Sequence, residues 1–347
     1  MRFLLSILFL FLFLKTSFCQ NKVLIIGIDG CRSDALEKAY TPHLDSLREN
    51  GIYSLTSWQL GKTKSGPGWS SMLTGVWDFK HNVSNNRFLN HNFENYPFLP
   101  TYLKRLDTSK ASVLVVGWKG LFKISKNRGW DKCIKGKNDN DCHSQIKKLL
   151  KEADFDINMV HYNDVDFAGH TTGFELDNKK YIKAIEKVDQ KIGELLKTIK
   201  NRPNSKNENW LILSSTDHGG VGNHHSGNSL EERKVWWLAS SSKLQKMEIK
   251  VADPGSYFYE DLPIDSTIIN FYPSIVDVTA TVLHHLFPEL DNNVFKDWGL
   301  DGKSWLNFKP ENSINFFPEI TTNFNRQNSK YVNKNCTVEI IFKDLKK

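Results

Sequence analysis

Acids and imidazoles recur just beyond three apolar runs of this chain. Asp29 ends the run that starts at Lys22 and continues VLIIGI. Asp166 and His170 stand four apart in DVDFAGH, after the run Ile157 to Tyr162, and Asp217 and His218 follow the run Trp210 to Ser214. His224 and His225 come shortly afterwards. Carboxylate oxygens and imidazole nitrogens mixed around a hydroxyl suit a borderline-hard divalent ion such as zinc. The hydroxyl is Ser65, in KTKSGPGWSSMLTG. Gly66, Pro67 and Gly68 allow a sharp turn and a close approach to a ligand. A helix starting near Trp69 would aim free N–H groups and the positive end of its dipole at an anion, so a serine there is placed to attack a phosphoryl group.

Those residues need a scaffold that gathers strand ends. The run VLIIGI reads as a buried parallel strand, and in open α/β sheets ligands bind at the carboxyl edge. Further strands are expected at Ser112 to Val116, Ile157 to Tyr162, Trp210 to Ser214 and Val235 to Ala239. Thr41 as cap, Pro42 in the first turn, Leu44 and Leu47 on one face and Gly51 at the end predict one helix. Ile182, Ile185, Val188, Ile192, Leu195, Leu196 and Ile199 form the apolar stripe of another, from about Asn178 to Ile199. Strands alternating with helices imply a doubly wound α/β sheet covered on both faces.

The amino terminus carries Arg2, an apolar run from Phe3 to Leu14, and Ser17-Phe18-Cys19 before Gln20. This pattern predicts a signal peptide over residues 1–19, hence a secreted or periplasmic protein with no stable membrane span after cleavage. Removing Arg2 and Lys15 lowers the formal charge from +7 to +5. That mild balance slightly favours anionic small-molecule substrates and, with no basic run interleaved with stacking aromatics, gives no reason to expect a nucleic-acid groove. Of five cysteines, Cys133 and Cys142 flank a polar loop and are expected to form a disulfide in an exported chain. Residues 20–308 suit one catalytic domain; 309–347 are an Asn-rich extension without a functional reading, although Thr337 to Phe342 alternates like an edge strand. Oligomeric state is not legible.

The ordered set of motifs resembles the alkaline phosphatase superfamily, and within it the type I phosphodiesterases and nucleotide pyrophosphatases. It consists of Ile28-Asp29-Gly30, the Thr41-Pro42 helix, Ser65 with Thr74-Gly75, Asp166 to His170, Asp217-His218-Gly219, and His225 ahead of Glu231-Glu232-Arg233. The likeness extends from about Lys22 to Trp305, through Val276 to Leu286 and Leu300-Asp301-Gly302. It implies an alkaline-phosphatase-like fold, with a mostly parallel central sheet and helices on both faces. It further implies two zinc ions, one held by Asp29, Ser65, Asp217 and His218, the other by Asp166, His170 and His225. His225 is chosen over His224 by its spacing to Glu231, and Asp164 is left as a solvated loop residue. Ser65 would be the nucleophile of a phosphoester hydrolase working through a phosphoseryl intermediate, with backbone N–H groups after it binding a non-bridging oxygen.

Two departures stand out. The diesterase branch usually has threonine as nucleophile and asparagine three residues later, where this chain has Ser65 and Gly68. Asn85, Asn86, Lys62 and Lys64 are the candidates to replace the phosphate donor. Trp69, Trp77 and Phe88 offer faces for a leaving group, with Trp77 and Phe88 expected to be partly core; His81 reads as a turn residue. The rival enzymes are a sulfatase, whose arginine position holds Trp69 here, or a phosphomonoesterase. A rival of another class is an extracellular binding module that kept the fold.

Overall fold

The first apolar run forms β1 (Gln20–Ile28), in the interior of the sheet. Val23 and Ile25 enter one hydrophobic core and Leu24, Ile26 and Ile28 the other, because successive side chains leave opposite faces of a strand. A strand apolar at both sets of positions is stable only when covered on both sides. The computed structural model describes residues 19–251, 253–256 and 273–306, with the backbone of 338–341. Among them the further strands are β2 (Gly51–Trp58), β3 (Ser112–Val116), β4 (Lys132–Lys135), β5 (Ile157–Tyr162), β6 (Glu208–Ser215), β7 (Lys234–Ser240), β8 (Met247–Val251) and β9 (Val338–Ile341). They form one sheet in the order β4-β3-β5-β1-β6-β7-β2-β8-β9. The five from β4 to β6 are parallel, β7 runs against both its neighbours, β8 lies parallel to β2, and β9 closes the margin antiparallel to β8.

This is the mostly parallel α/β sheet expected, and the alternating carboxyl-terminal stretch supplies its edge strand. Three strands escaped the sequence reading. In β2 the polar residues Ser54, Thr56 and Ser57 interrupt the apolar run, β4 is only KCIK, and β8 is MEIKV.

The helices are α1 (Ser33–Lys38), α2 (Pro42–Glu49), α3 (Ser65–Thr74), α4 (Asp78–His81), α5 (Leu99–Leu106), α6 (Lys119–Ser125), α7 (Asp139–Glu152), α8 (Asp164–Thr172), α9 (Lys179–Lys200), α10 (Leu230–Arg233), α11 (Asp277–Leu286) and α12 (Asn292–Asp297). Apolar residues of α3, α5, α6 and α11 pack on one face of the sheet, and those of α1, α2, α7 and α9 on the other. The α9 stripe buries Ile185, Val188, Ile192, Leu195 and Ile199, each such side chain contributing about 1.5–3 kcal/mol. Among the described residues no helix is long and apolar enough to cross a membrane.

Three local expectations are corrected. Thr41 does not cap α2; buried Asp189 of α9 accepts the N–H groups of His43 and Leu44 at 3.2 and 2.8 Å, so the cap comes from a neighbouring helix. Helix α3 begins at Ser65 rather than near Trp69, because Pro67 falls in the first turn, where a missing N–H costs nothing. Cys133 and Cys142 are both free thiols. Cys133 packs against the core on one face of the sheet and Cys142 lies in the core on the other, so the sheet separates the sulfurs. Residues 1–18 of the expected signal peptide, and most of 309–347, lie outside the described residues.

At the edge of the sheet away from the acids, Arg202 makes a fork of hydrogen bonds to Glu208, from Nε at 3.0 and 2.8 Å and from Nη2 at 2.9 Å, with both side chains buried. Removing Glu208 leaves the buried Arg202 guanidinium only the exposed Asp154, at 3.1 Å, as a charged partner. Glu208→Ala should lower stability by about 3–5 kcal/mol, read from denaturant unfolding, while leaving turnover per folded molecule unchanged.

Candidate active site

Parallel pairing sets the site. β1 lies between β5 and β6 with Ile28 opposite Tyr162 and Gly27 opposite Ser215, so the segments that leave these strands emerge side by side. Cross-links fix them. Asp29 N–H donates to Tyr162 O at 3.0 Å, Gly30 N–H to Asp217 Oδ1 at 3.2 Å, and Cys31 N–H to Thr216 Oγ1 at 3.0 Å. Gly30 has φ +65°, and a Cβ there would lie 2.6 Å from Asp166 Oδ1, so only glycine lets the chain pass beside this acid. Asp166 and His170 are one turn apart on α8 and share a face. Glu232 accepts the Gly227 and Ser229 N–H groups at 2.6 and 3.0 Å, which secures the loop behind His225.

All seven side chains singled out by residue type and motif order come together. Ser65 Oγ lies 3.2 Å from His218 Nε2 and 3.5 Å from Asp29 Oδ1. His218 Nε2 is 3.6 Å from Asp29 Oδ1 and 3.3 Å from Asp217 Oδ2. In the second group His170 Nε2 stands 3.4 Å from Asp166 Oδ2 and 3.1 Å from His225 Nε2, and His225 Nε2 is 3.8 Å from Asp166 Oδ1. Four donors about 2.0–2.1 Å from a tetrahedral ion are roughly 3.3 Å from one another, close to these separations. His218 sits at the shared corner: its donor atom groups with those of Asp29 and Asp217, and also with those of Asp166 and His225, within 4.8 Å.

Tautomers sharpen this picture. Nδ1 of His170, His218 and His225 donates to the carbonyls of Asn223, Gly219 and Thr63, each at 2.8 Å. A carbonyl only accepts, so the proton of each neutral ring is held at Nδ1 and the Nε2 lone pair faces the site. Burial draws the His218 pKa down; burial and the neighbouring His218 draw that of His225 down to about 3. In their neutral forms His170 and His225 face each other with Nε2 lone pairs across 3.1 Å. Asp166 Oδ1 and Asp217 Oδ2 are buried without a hydrogen-bond partner among the described residues.

The carboxylates carry the same message. Burial would raise Asp29, but the hydrogen bond and charge of His161, then His218 and the Trp69 indole, hold it at about 2. Asp166 is pushed well above the usual range by burial and by the charge of Asp29; Asp217 is pushed up by burial, Asp29 and Asp166. Protein groups alone do not neutralise three buried acids, whereas divalent cations would.

The Asp29 anchor was missed in the sequence. His161, buried in β5, donates from Nε2 to Asp29 Oδ2 at 3.0 Å, and Trp69 Nε1–H reaches the same oxygen at 2.9 Å. The two rings stack edge to face at 4.6 Å. Trp69 is thus a buried brace and not the leaving-group surface expected. The available signal was a histidine inside the buried strand INMVHY, where an imidazole needs a partner.

The other assignments sort cleanly. His224 and Asp164 are exposed. Trp77 is core and Phe88 packs partly against it. His81 is buried rather than a turn residue: Nδ1 accepts the Val83 N–H at 3.1 Å and Nε2 meets Ser71 Oγ at 2.9 Å, with burial lowering its pKa to about 3. A Cβ at Gly68 would stand 2.7 Å from Asp217 Cβ, so no asparagine fits there. Asn86 lies nearby instead, its Oδ1 accepting the Gly66 N–H at 2.7 Å. Gly66 must be small as well, since its Cβ would meet Asn85 O at 2.7 Å.

Similarity to known proteins agrees with this architecture. Solved structures of similar fold include a 2-O GAG sulfatase, at TM-score 0.59 and 12% identity over 84% of this chain and 76% of that one. A phosphonate monoester hydrolase from Silicibacter pomeroyi gives TM-score 0.53 and 14% identity over 82% and 76%. Among curated sequences, ectonucleotide pyrophosphatase/phosphodiesterase family member 7 of Rattus norvegicus is 23% identical over 58% of this chain and 50% of its own length. An uncharacterized pyrophosphatase/phosphodiesterase of Schizosaccharomyces pombe is 23% identical over 77% and 57%. The chain spans about half the length of these curated relatives. Residues 23–274 match the family described as type I phosphodiesterase / nucleotide pyrophosphatase, and the chain belongs to that family.

Proposed function

We propose that this protein is an exported hydrolase of phosphoesters, with diesters or nucleotide pyrophosphates as its substrate class, acting through Ser65 with two divalent cations, zinc by donor type. The observation that carries the reading is the convergence of three Nε2 lone pairs and three buried carboxylates around one serine hydroxyl. Asp29, Ser65, Asp217 and His218 would hold one cation, and Asp166, His170 and His225 the other. Bound there, the cations supply positive charge that favours ionised Ser65 and a departing oxygen, and acidify water.

The chain's own residues do the rest. Ser65 Oγ attacks phosphorus in line as the ester oxygen leaves, giving a phosphoserine that water then hydrolyses to free Ser65 and product. Ser65 Oγ lies 3.2 Å from His218 Nε2 and 3.5 Å from Asp29 Oδ1, so a cation taking those two lone pairs would lie within reach of the serine oxygen as well and favour its ionised, attacking form. Asn86, held by Gly66 through its Oδ1, keeps its NH2 for a non-bridging oxygen and takes over the donor role that Gly68 cannot fill. Trp69 stands where a sulfatase arginine would be and is committed to Asp29, which weighs against sulfate esters.

Ser65→Ala should abolish hydrolysis of bis-p-nitrophenyl phosphate, by roughly a thousandfold or more, while zinc content measured by elemental analysis stays near two per chain. Full turnover by this variant, or faster cleavage of an aryl sulfate by the wild type, would overturn the reading. Because outer partners of a ligating carboxylate set metal affinity, His161→Phe and Trp69→Phe should each weaken zinc retention about 10–100-fold against a competing chelator. Unchanged retention in both variants counts against a ligand role for Asp29. The mature protein should begin at Gln20 by amino-terminal sequencing of secreted material; a retained Met1 would argue against export by cleavage.

A further inference from the structure

Helix α8 carries Asp166 and His170 but does not cap itself, since Asn163 at its start makes no side-chain capping bond. The cap is Asp139, the first residue of α7. Its Oδ1 accepts the Asn163 N–H at 2.8 Å, and its Oδ2 accepts those of Asn163 and Asp164 at 3.0 and 2.9 Å. Only 1% of the residue is exposed. Burial pushes its pKa up to about 6 and the Asp164 charge adds to this, while the backbone N–H groups of α8 draw it down. An asparagine or serine caps a helix without burying a charge, so capping alone does not require a carboxylate.

The surroundings leave this carboxylate little room to turn. A Cβ at Gly117 would lie 3.1 Å from Asp139 Oδ1, 3.2 Å from His161 O and 3.4 Å from Asn163 Cβ, and the Gly117 N–H donates to His161 O at 3.1 Å. Helix α7 is pinned in turn by buried Cys142, Ile146 and Leu150, and by His143, whose Nδ1 meets the Tyr162 hydroxyl at 3.1 Å. The start of α8 is thus held between α7 and the end of β5. Asp166 and His170 share one helix, whereas His225 hangs from a different loop through Thr63 O. A slide or rotation of α8 would therefore move two donor groups together relative to the third.

We propose that Asp139 is a positioning residue for the cation held by Asp166, His170 and His225, fixing the register of α8 and so setting affinity at that position but not at the one beside Ser65. This role rests on the assignment of those three residues as ligands. The molecule contains its own comparison in Asp189, which is equally buried at 1% exposed and caps α2 from a neighbouring helix through the His43 and Leu44 N–H groups. Helix α2 supplies no ligand, so losing that cap removes the same kind of bond without reaching the metal centre.

Three full-length variants test the role: Asp139→Asn, Asp139→Ser and Asp189→Asn. The first measurement is zinc retention against a competing chelator. Both Asp139 variants should release one of two zinc ions about 10–100-fold more readily and keep the other within about twofold of wild type, while Asp189→Asn keeps both. In a His170→Ala background, where the second group is already broken, adding Asp139→Asn should leave the remaining zinc unchanged. Equal loosening of both ions, or loosening of the same ion by Asp189→Asn, would overturn the role. So would global unfolding of both Asp139 variants under conditions where Asp189→Asn folds, since that marks a general support.

The second measurement needs neither zinc nor turnover. Hydrogen exchange of the chelator-treated chain should be faster over residues 163–170 in the Asp139 variants and unchanged there in Asp189→Asn. Unaltered exchange over 163–170 would overturn the capping role even if metal affinity fell. Wild type that binds zinc but cleaves no phosphoester would overturn the hydrolase reading and leave both measurements decisive for Asp139; wild type that binds no divalent ion would overturn the two-cation reading and the role of Asp139 with it.

Discussion

Three carboxylates buried at one point repel one another, and the surroundings of the site answer that constraint. Two like charges 4 Å apart oppose each other by about 4 kcal/mol at an effective dielectric constant of 20. Asp29, Asp166 and Asp217 are brought together by the parallel pairing of β5, β1 and β6, which leaves no freedom to move them apart. His161 and Trp69 relieve one acid by donating to a single oxygen of Asp29. The other two keep raised pKa values, since burial and their neighbours work against ionisation. A site built this way is electrostatically incomplete without added positive charge, and the three imidazoles, each with its proton turned to a carbonyl, leave room for it.

Rigidity of the donors follows from the same packing. Asp29 has one oxygen engaged by two buried donors, which leaves Oδ1 turned toward Ser65 and His218. Trp69 belongs to α3 as Ser65 does, so the helix that carries the hydroxyl also braces the acid beside it. Gly66 and Gly68 are small for two different neighbours, the Asn85–Asn86 loop on one side and Asp217 on the other. The serine's turn is thereby held between the sheet edge and the loop that supplies Asn86.

Much of the scaffold was legible because it is encoded locally. The near-continuous apolar runs of β1, β3 and β5 have few other fates than buried parallel strands, and the 3.6-residue stripe of α9 predicted its extent to within a residue. β2 was not legible, since its serines and threonine read as loop chemistry until β7 and β8 pair with it. The cap of α2 was misread for a similar reason. Thr41 sits at the right place in sequence, but Asp189 reaches across from α9 with a better-placed carboxylate. The disulfide expectation failed because only eight intervening residues keep Cys133 and Cys142 close in sequence while the sheet puts them on opposite faces.

By itself the sequence determined which side chains stand beyond strand ends, which turn carries the serine, and the order of motifs that links this chain to its family. Those features depend on residue type and on spacings of a few residues, which survive in a one-dimensional string. Only the tertiary structure decided that His161 and Trp69 share an oxygen of Asp29, that Asn86 lies over Gly66, which ring nitrogens keep their protons, and which sheet face each cysteine joins. Each of those is a contact set by strand register and sheet face between groups from separate elements. Neither register nor face is written in the spacing of any single segment.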